Sequence, residues 1–251
     1  MEEVVFFMLV SLAGLVAGFF DSLVGGGGLI SVPSLVLLGI PPQMAIATER
    51  FGSIGQAIAA TIKFWKAKKI VWKYVAPLCI LSLVGAVIGA NILLNINGKF
   101  LGVILGILML VLLPVVFLKK DLGIKHRETN RKNTSIGYMI FFLIAIFAGF
   151  YGQGTGPMVF YTLIFFLGLT MLESIGTSVV GWLLLTISSS LIFAFNNLID
   201  YKIGLVLFVT MSIGSYAGAS TAVIKGDLWI KRLFVVLVVI MSVKLLFFNS
   251  P

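Results

Sequence analysis

Two glycine-rich stretches, an aspartate beside the first and a single arginine carry the chemistry legible in this sequence. Gly25, Gly26, Gly27 and Gly28 follow Asp21 and break one apolar segment, and Gln153, Gly154, Thr155 and Gly156 break another. A helix broken inside an apolar medium frees backbone N–H groups that need protein, water or a ligand as partners. Glycine lets that ligand come close. The helix that restarts after each break points its N-terminal dipole and free N–H groups at the loop, which makes a ready anion site.

Arg50, in Ala47-Thr48-Glu49-Arg50-Phe51-Gly52-Ser53, adds a fixed positive charge within a hydrophobic segment. Near the bilayer centre such a charge costs at least about 2.5 to 3.5 kcal/mol, so it needs a partner. Asp21, Glu49 and a bound anion are the candidates, and a guanidinium fork can hold an oxyanion bidentately. The competing reading puts Arg50 near the interface, snorkelling to water. Thr48 with Ser53, and Thr177 with Ser178, offer hydroxyl donors at related places or serve as polar ties between helices. Asp21 either carries a coupling proton or is a cap that accepts loop N–H groups and balances Arg50. Gln56 and Gln153 add less specific amide donors.

Such residues must be positioned by membrane-embedded helices. The chain of 251 residues is 60% hydrophobic and 11% charged, too apolar to hide its surface in one soluble core. Runs 100–118, 172–195, 203–224 and 228–248 reach the ~20 residues that cross a bilayer as a helix. An open strand there would leave backbone groups unpaired in lipid. The expected class is an all-α, multi-pass integral membrane protein of the cell inner membrane or plasma membrane. Met1-Glu2-Glu3 lacks a basic start, so no cleavable signal peptide is expected.

The net charge of +9 is gathered between apolar runs, at 63–73 and 119–132. This pattern describes a cytoplasmic face beside anionic lipid, not a nucleic-acid surface. The lone Cys79 excludes a disulfide framework or cysteine metal cluster within the chain. His126, in the polar central loop, is expected to be an ordinary exposed histidine. No metal or cofactor is expected, and the expected partners are a small anion, membrane lipid and, at most, a second copy as a homodimer.

A fixed offset of 129 residues places Gly25, Gly27, Gly39, Gly52, Gly85 and Gly89 on Gly154, Gly156, Gly168, Gly181, Gly214 and Gly218, and Thr48 on Thr177. Six of the nine glycines between 25 and 89 are matched, against roughly one by chance, so the chain is an internal duplication. Its expected parts are repeat 1 (1–118), a cytoplasmic linker (119–133) and repeat 2 (134–251). Each repeat reads as a short apolar run (4–20; 136–150), the break, a half-helix (29–38; 158–167) and three full runs. If each repeat makes an odd number of crossings, the basic clusters and Lys225, Lys231 and Arg232 all face the cytoplasm. The expected architecture is therefore two inverted-topology helical repeats with broken or half-helices, built of five crossings each or of a re-entrant hairpin plus three. Pro41-Pro42 and the capping-box spacing Thr170 to Glu173 open equivalent helices, so Glu173 is expected to be a cap. Small residues at 85/86, 89/90, 214 and 218/219 permit close helix contact.

The run Gly18-Phe19-Phe20-Asp21-Ser22-Leu23-Val24 with Gly25 to Gly28 and Pro33, then Leu38-Gly39-Ile40-Pro41-Pro42 and Ala47-Thr48 with Arg50, resembles the TauE/SafE family of sulfite exporters. Gly149-Phe150, Gly154, Gly156-Pro157 and Gly176-Thr177-Ser178 extend the resemblance to the second half. It implies a duplicated helical transporter of sulfur-containing anions such as sulfite or organosulfonates, often outward. Glu49 stands where that family pattern leads one to expect an uncharged residue, and the second glycine loop is thinner than usual. Gly25 to Gly28 lack the Gly-Lys-Ser/Thr of a P-loop, so an ion gradient or the substrate's own gradient must drive transport. The expected function is a secondary transporter working by alternating access between the repeats. The alternative is a passive anion channel on the same pocket. An intramembrane enzyme is disfavoured, because no His-Glu-x-x-His, Gly-x-Ser-x-Gly or acid pair stands out.

Overall fold

A computed structural model describes residues 2–95, 123–124, 126–150, 152 and 154–247. The apolar run 100–118, the linker positions 119–122 and 125, and Gln153 lie outside the described residues. Every element among those described is a helix: α1 (Glu2–Val24), α2 (Gly28–Leu37), α3 (Pro42–Lys66), α4 (Trp72–Asn95), α5 (Arg131–Phe150), α6 (Gly156–Leu167), α7 (Met171–Phe195) and α8 (Tyr201–Phe247). Gly226, at φ 81°, interrupts α8. Five helices, α1, α4, α5, α7 and the 201–230 part of α8, are long and apolar enough to cross a membrane. The short α2 and α6, of 10 and 12 residues, cover only about half of a ~30 Å hydrocarbon core. α3 is as long as α7 but carries Glu49, Arg50, Lys63 and Lys66.

Local sequence sets the helix starts. Pro42 opens α3 at a position whose N–H would be unpaired anyway. Thr170 and Glu173 form the reciprocal box on α7: the Glu173 N–H donates to Thr170 Oγ1 at 3.3 Å and the Thr170 N–H to Glu173 Oε2 at 2.9 Å. The same carboxylate oxygen lies 2.9 Å from His126 Nδ1, so the histidine is not a bystander but ties the central loop to α7.

Helix directions follow from the contacts. Gly14 and Gly18 of α1 meet Leu207 and Met211 of α8, and farther along Gly214 and Gly218 meet Leu15 and Phe19, so α1 and α8 run parallel. A Cβ on Gly218 would run into the Phe19 carbonyl oxygen, and small residues here are what allow the approach. α3 also runs with α8, since Thr48 pairs with Asp200 at one end and Gln56 with Ser215 farther along. α3 and α7 run in opposite directions, with Phe64 against Gly176 and Arg50 over Trp182. Because α1 and α3 share a direction, α2 must bring the chain back between them, and α1 with α2 makes a hairpin.

These contacts recur when the two halves are exchanged. α1 packs on α8 and α5 on α4; α3 packs on α8 and α7 on α4. Phe64 and Leu78, both fully buried, anchor one apolar cluster, and Phe193 and Leu207, 129 residues on and equally buried, anchor the other. The left-handed turns match as well: Gly25 and Gly154 at φ 72° and 75°, Gly39 and Gly168 at 91° and 74°, Lys68 and Asn197 at 55° and 54°.

Candidate anion site at the crossed breaks

The two breaks meet. Gly25, at the end of α1, lies so close to Gly156, the first residue of α6, that a Cβ on either would strike the other's backbone. Around this contact lies a cavity of about 40 Å3, walled on one side by Asp21, Ser22 and Gln56 and on the other by Phe64, Phe160 and Trp182; Ser178 also lines it. A smaller recess of about 10 Å3, about the space of one water molecule, adjoins it, lined by Gly28, Glu49, Arg50, Ser53, Gly152 and shared Asp21, Gln56 and Trp182. Gln56 and Trp182 sit near the midpoints of α3 and α7, so the site lies at mid-length of the bundle.

Arg50 is 1% exposed, so it does not snorkel. Its Nη2 donates to the Ala148 carbonyl, freed at the end of α5, at 2.8 Å, and the guanidinium lies 5.8 Å from the Trp182 ring centroid, a cation–π contact. A Cβ on Gly152 would lie 2.7 Å from Arg50 Cζ, so glycine makes the room. The charges of Glu49 and Asp21 act on Arg50. Glu49, 4% exposed, accepts from Ser53 Oγ at 2.9 Å and Ser31 Oγ at 3.5 Å. Asp21 accepts from the Gly27 N–H at 2.8 Å on Oδ1 and from Gln56 Nε2 on Oδ2. Two buried polar atoms have no partner among the described residues: the Arg50 Nε donor and the Gln56 Oε1 acceptor. Both residues line the small recess, so its walls offer a donor and an acceptor at once.

The remaining candidates divide. Gly25, Gly28, Ser53, Gly156 and Ser178 line the cavities. Gly26 and Gly27 are buried in the first loop, and the Gly27 N–H already belongs to Asp21. Gly154 holds the second turn at φ 75°, and Thr155 Oγ1 donates back to the Gly152 carbonyl at 2.8 Å. Thr48 and Thr177 are not in the cavity walls: each Oγ1 accepts a backbone N–H from a distant connection, Asp200 and Val71, at 3.0 Å. Trp182, Phe160 and the Ala148 carbonyl are the members the sequence did not announce. Among the described residues no three His, Cys, Asp or Glu side chains gather to hold a metal.

The chemistry is not duplicated with the fold. The 129-residue offset carries Asp21 to Phe150, Glu49 to Ser178, Arg50 to Val179 and Gln56 to Leu185. All the charge comes from the first half, while the second half gives an uncapped break and aromatic walls.

The sequence profile of the family described as Sulfite exporter TauE/SafE matches residues 10–245. A probable membrane transporter protein of Haemophilus influenzae is 25% identical over 93% of this chain and 92% of its own. The probable membrane transporter protein ORF9 of a Sinorhizobium species is 26% identical over 98% and 95%. YfcA of Escherichia coli, also described as a probable membrane transporter protein, is 25% identical over 93% and 87%. No solved structure matches the chain significantly.

Proposed function

The chain belongs to the sulfite exporter TauE/SafE family of multi-pass membrane transporters, and we propose that it is a secondary transporter exporting a small sulfur-containing anion, sulfite or an organosulfonate, across the cell inner or plasma membrane. The observation that carries this reading is the buried Arg50 guanidinium, with Nε unpartnered, at the place where the two breaks cross. A buried donor without a partner costs about 1 to 3 kcal/mol, and an oxyanion is the ligand that a guanidinium fork and a helix N-terminus share.

The asymmetry of the breaks says where the anion rests. The Asp21 carboxylate already occupies the N-terminal N–H of the first break, and so offsets the dipole of α2 with its own charge. The second break has Phe150 at the equivalent position and no such cap. The anion therefore lies between Arg50 and the N-terminus of α6, against Trp182.

Antiparallel α3 and α7 at equivalent positions, and contacts that recur on exchange, support inverted repeats related by an axis in the membrane plane. Rocking of one repeat against the other would open the site alternately to the two sides. With both carboxylates ionised, Asp21, Glu49 and Arg50 sum to one negative charge. An anion entering that site is better held when a carboxylate takes a proton, which supports proton coupling.

The deciding experiment is flux into proteoliposomes over a panel of anions, with and without an imposed proton gradient. Saturable uptake of sulfite or an organosulfonate with anion countertransport is expected. Flux linear in concentration, without countertransport, would mean a channel.

A further inference from the structure

Where α3 passes into α4, Trp65, Lys66, Lys68 and Trp72 surround an open groove of about 560 Å3 floored by the buried Ile70. The two indoles are 60% and 56% exposed. Below Trp72 an apolar stripe of exposed side chains, Ile80, Val84 and Val87, runs along α4. Lys69 and Lys73 flank the turn, and Lys63 Nζ stands 5.4 Å from the Tyr216 ring centroid.

The second half contains an internal control. The α7–α8 connection repeats this backbone, with Asn197 at φ 54° in the place of Lys68 at φ 55°. Yet Ala194, Phe195, Asn197 and Tyr201 stand where the first half has Trp65, Lys66, Lys68 and Trp72. The turn thus folds without either lysine or indole. Asparagine is in fact the better occupant of a left-handed position, so Lys68 is there in spite of the backbone. An excess of cations at this end suits membrane orientation, but orientation does not call for a pair of exposed tryptophans bounding a groove. Indoles settle at head-group depth, and lysines between them face the phosphates of anionic lipid.

We propose that this groove binds an anionic phospholipid, its phosphate on Lys66 and Lys68, its glycerol region between Trp65 and Trp72, and an acyl chain along the α4 stripe. The test uses the full chain in phosphatidylcholine vesicles carrying a minor fraction of lipid with brominated acyl chains, which quench nearby indoles. Brominated phosphatidylglycerol should quench at lower mole fraction than brominated phosphatidylcholine. K66Q/K68Q should lower that preference about thirtyfold, the effect of two lysines beside an anionic surface. Should that variant fail to insert, the wild type decides alone, because salt at ~1 M shrinks the Debye length to about 3 Å and should erase much of the preference. Equal quenching by the two head groups, or a preference that survives the double substitution or high salt, overturns the assignment. Inorganic phosphate at millimolar concentration should not relieve the quenching; relief would mean that the groove takes a free anion, not a lipid.

Discussion

The backbone N–H of Val71 donates to Thr177 Oγ1 at 3.0 Å, and 129 residues away in each direction the same bond returns, from the Asp200 N–H to Thr48 Oγ1 at 3.0 Å. Each half thus ties the α3–α4 or α7–α8 connection of one repeat to the paired long helix of the other. Both threonines are fully buried, and the bonds lie at opposite ends of the crossing of α3 and α7.

Thr48→Val and Thr177→Val should therefore each destabilise the protein by about 1 to 3 kcal/mol, the cost of leaving a buried N–H without a partner. The corresponding serine variants should recover most of it. Thermal unfolding in detergent reads the stability, and anion binding at saturating protein reads the site. A valine variant of normal stability that no longer binds anion would return these threonines to the binding site.

The orientation can be read from labelling. His126 pairs with Glu173 at the end of the bundle where Lys69 lies against Gly176 and Asp227 accepts from the Leu172 N–H. The basic segments 63–73 and 126–132 thus share one end, and a cation-rich end belongs in the cytoplasm. A cysteine at 126, with Cys79 replaced by Ser, should react with an impermeant maleimide only after the cells are opened. Reaction in intact cells would invert the assignment.

Arg50→Ala should lower anion affinity about tenfold to a hundredfold, as expected for one charge-assisted hydrogen bond, and Arg50→Lys should restore part of it, since the charge returns without the fork. Because the alanine variant leaves two buried carboxylates without their cation, Gly152→Ala provides a second route. Its Cβ would displace the guanidinium while keeping the charge. Unchanged affinity in both variants would remove Arg50 from the anion site.

Much of this arrangement was legible in the sequence, for reasons that differ by residue. Glycines at 25, 39, 154 and 168 stand at positive φ, where other residues are strained, so their spacing recorded the duplication directly. The box at Thr170 and Glu173 was legible because capping is local. Lys68 was not, since nothing in a lysine announces a left-handed turn; only its partner Asn197 hints at it. The burial of Arg50 depends on how deep α3 sits, which one segment's sequence does not fix. Its acceptor is the Ala148 carbonyl, a backbone atom that any residue would supply. Trp182 reads as ordinary core until α3 and α7 are seen to cross. Thr48 and Thr177 mislead because matched type marks symmetry, and the symmetric positions here are ties, while the charges sit at positions the duplication left unmatched.

The contact between the breaks gives a steric prediction. Gly156→Ala would drive a methyl group into the backbone of Gly25, and overpacking of this kind costs about 1 to 3 kcal/mol. Transport should fall more than stability, because the displaced atoms are those of the site. Gly39→Ala is the control: its Cβ would meet nothing within 4 Å, and only its φ of 91° resists the change. It should lose about 1 kcal/mol and keep its flux. Equal flux in the two variants would argue that the breaks need not touch during transport.

Coupling is the sharpest consequence of the charge count. Protonating Asp21 or Glu49 adds one positive charge to a site that is otherwise one negative, so anion affinity should rise as pH falls. Asp21→Asn fixes one group in its uncharged shape, and Gln56 can turn its amide to meet the new side chain. If Asp21 carries the proton, this variant should still exchange anion for anion across the membrane but lose its response to an imposed pH gradient, while Glu49→Gln keeps that response. The reverse pattern assigns the proton to Glu49, held by Ser53 and Ser31 beside Arg50. A wild type indifferent to the gradient, or two variants that both retain its effect, would leave Asp21 a cap on the Gly27 N–H and Glu49 a counter-charge. Transport would then run on the substrate's own gradient.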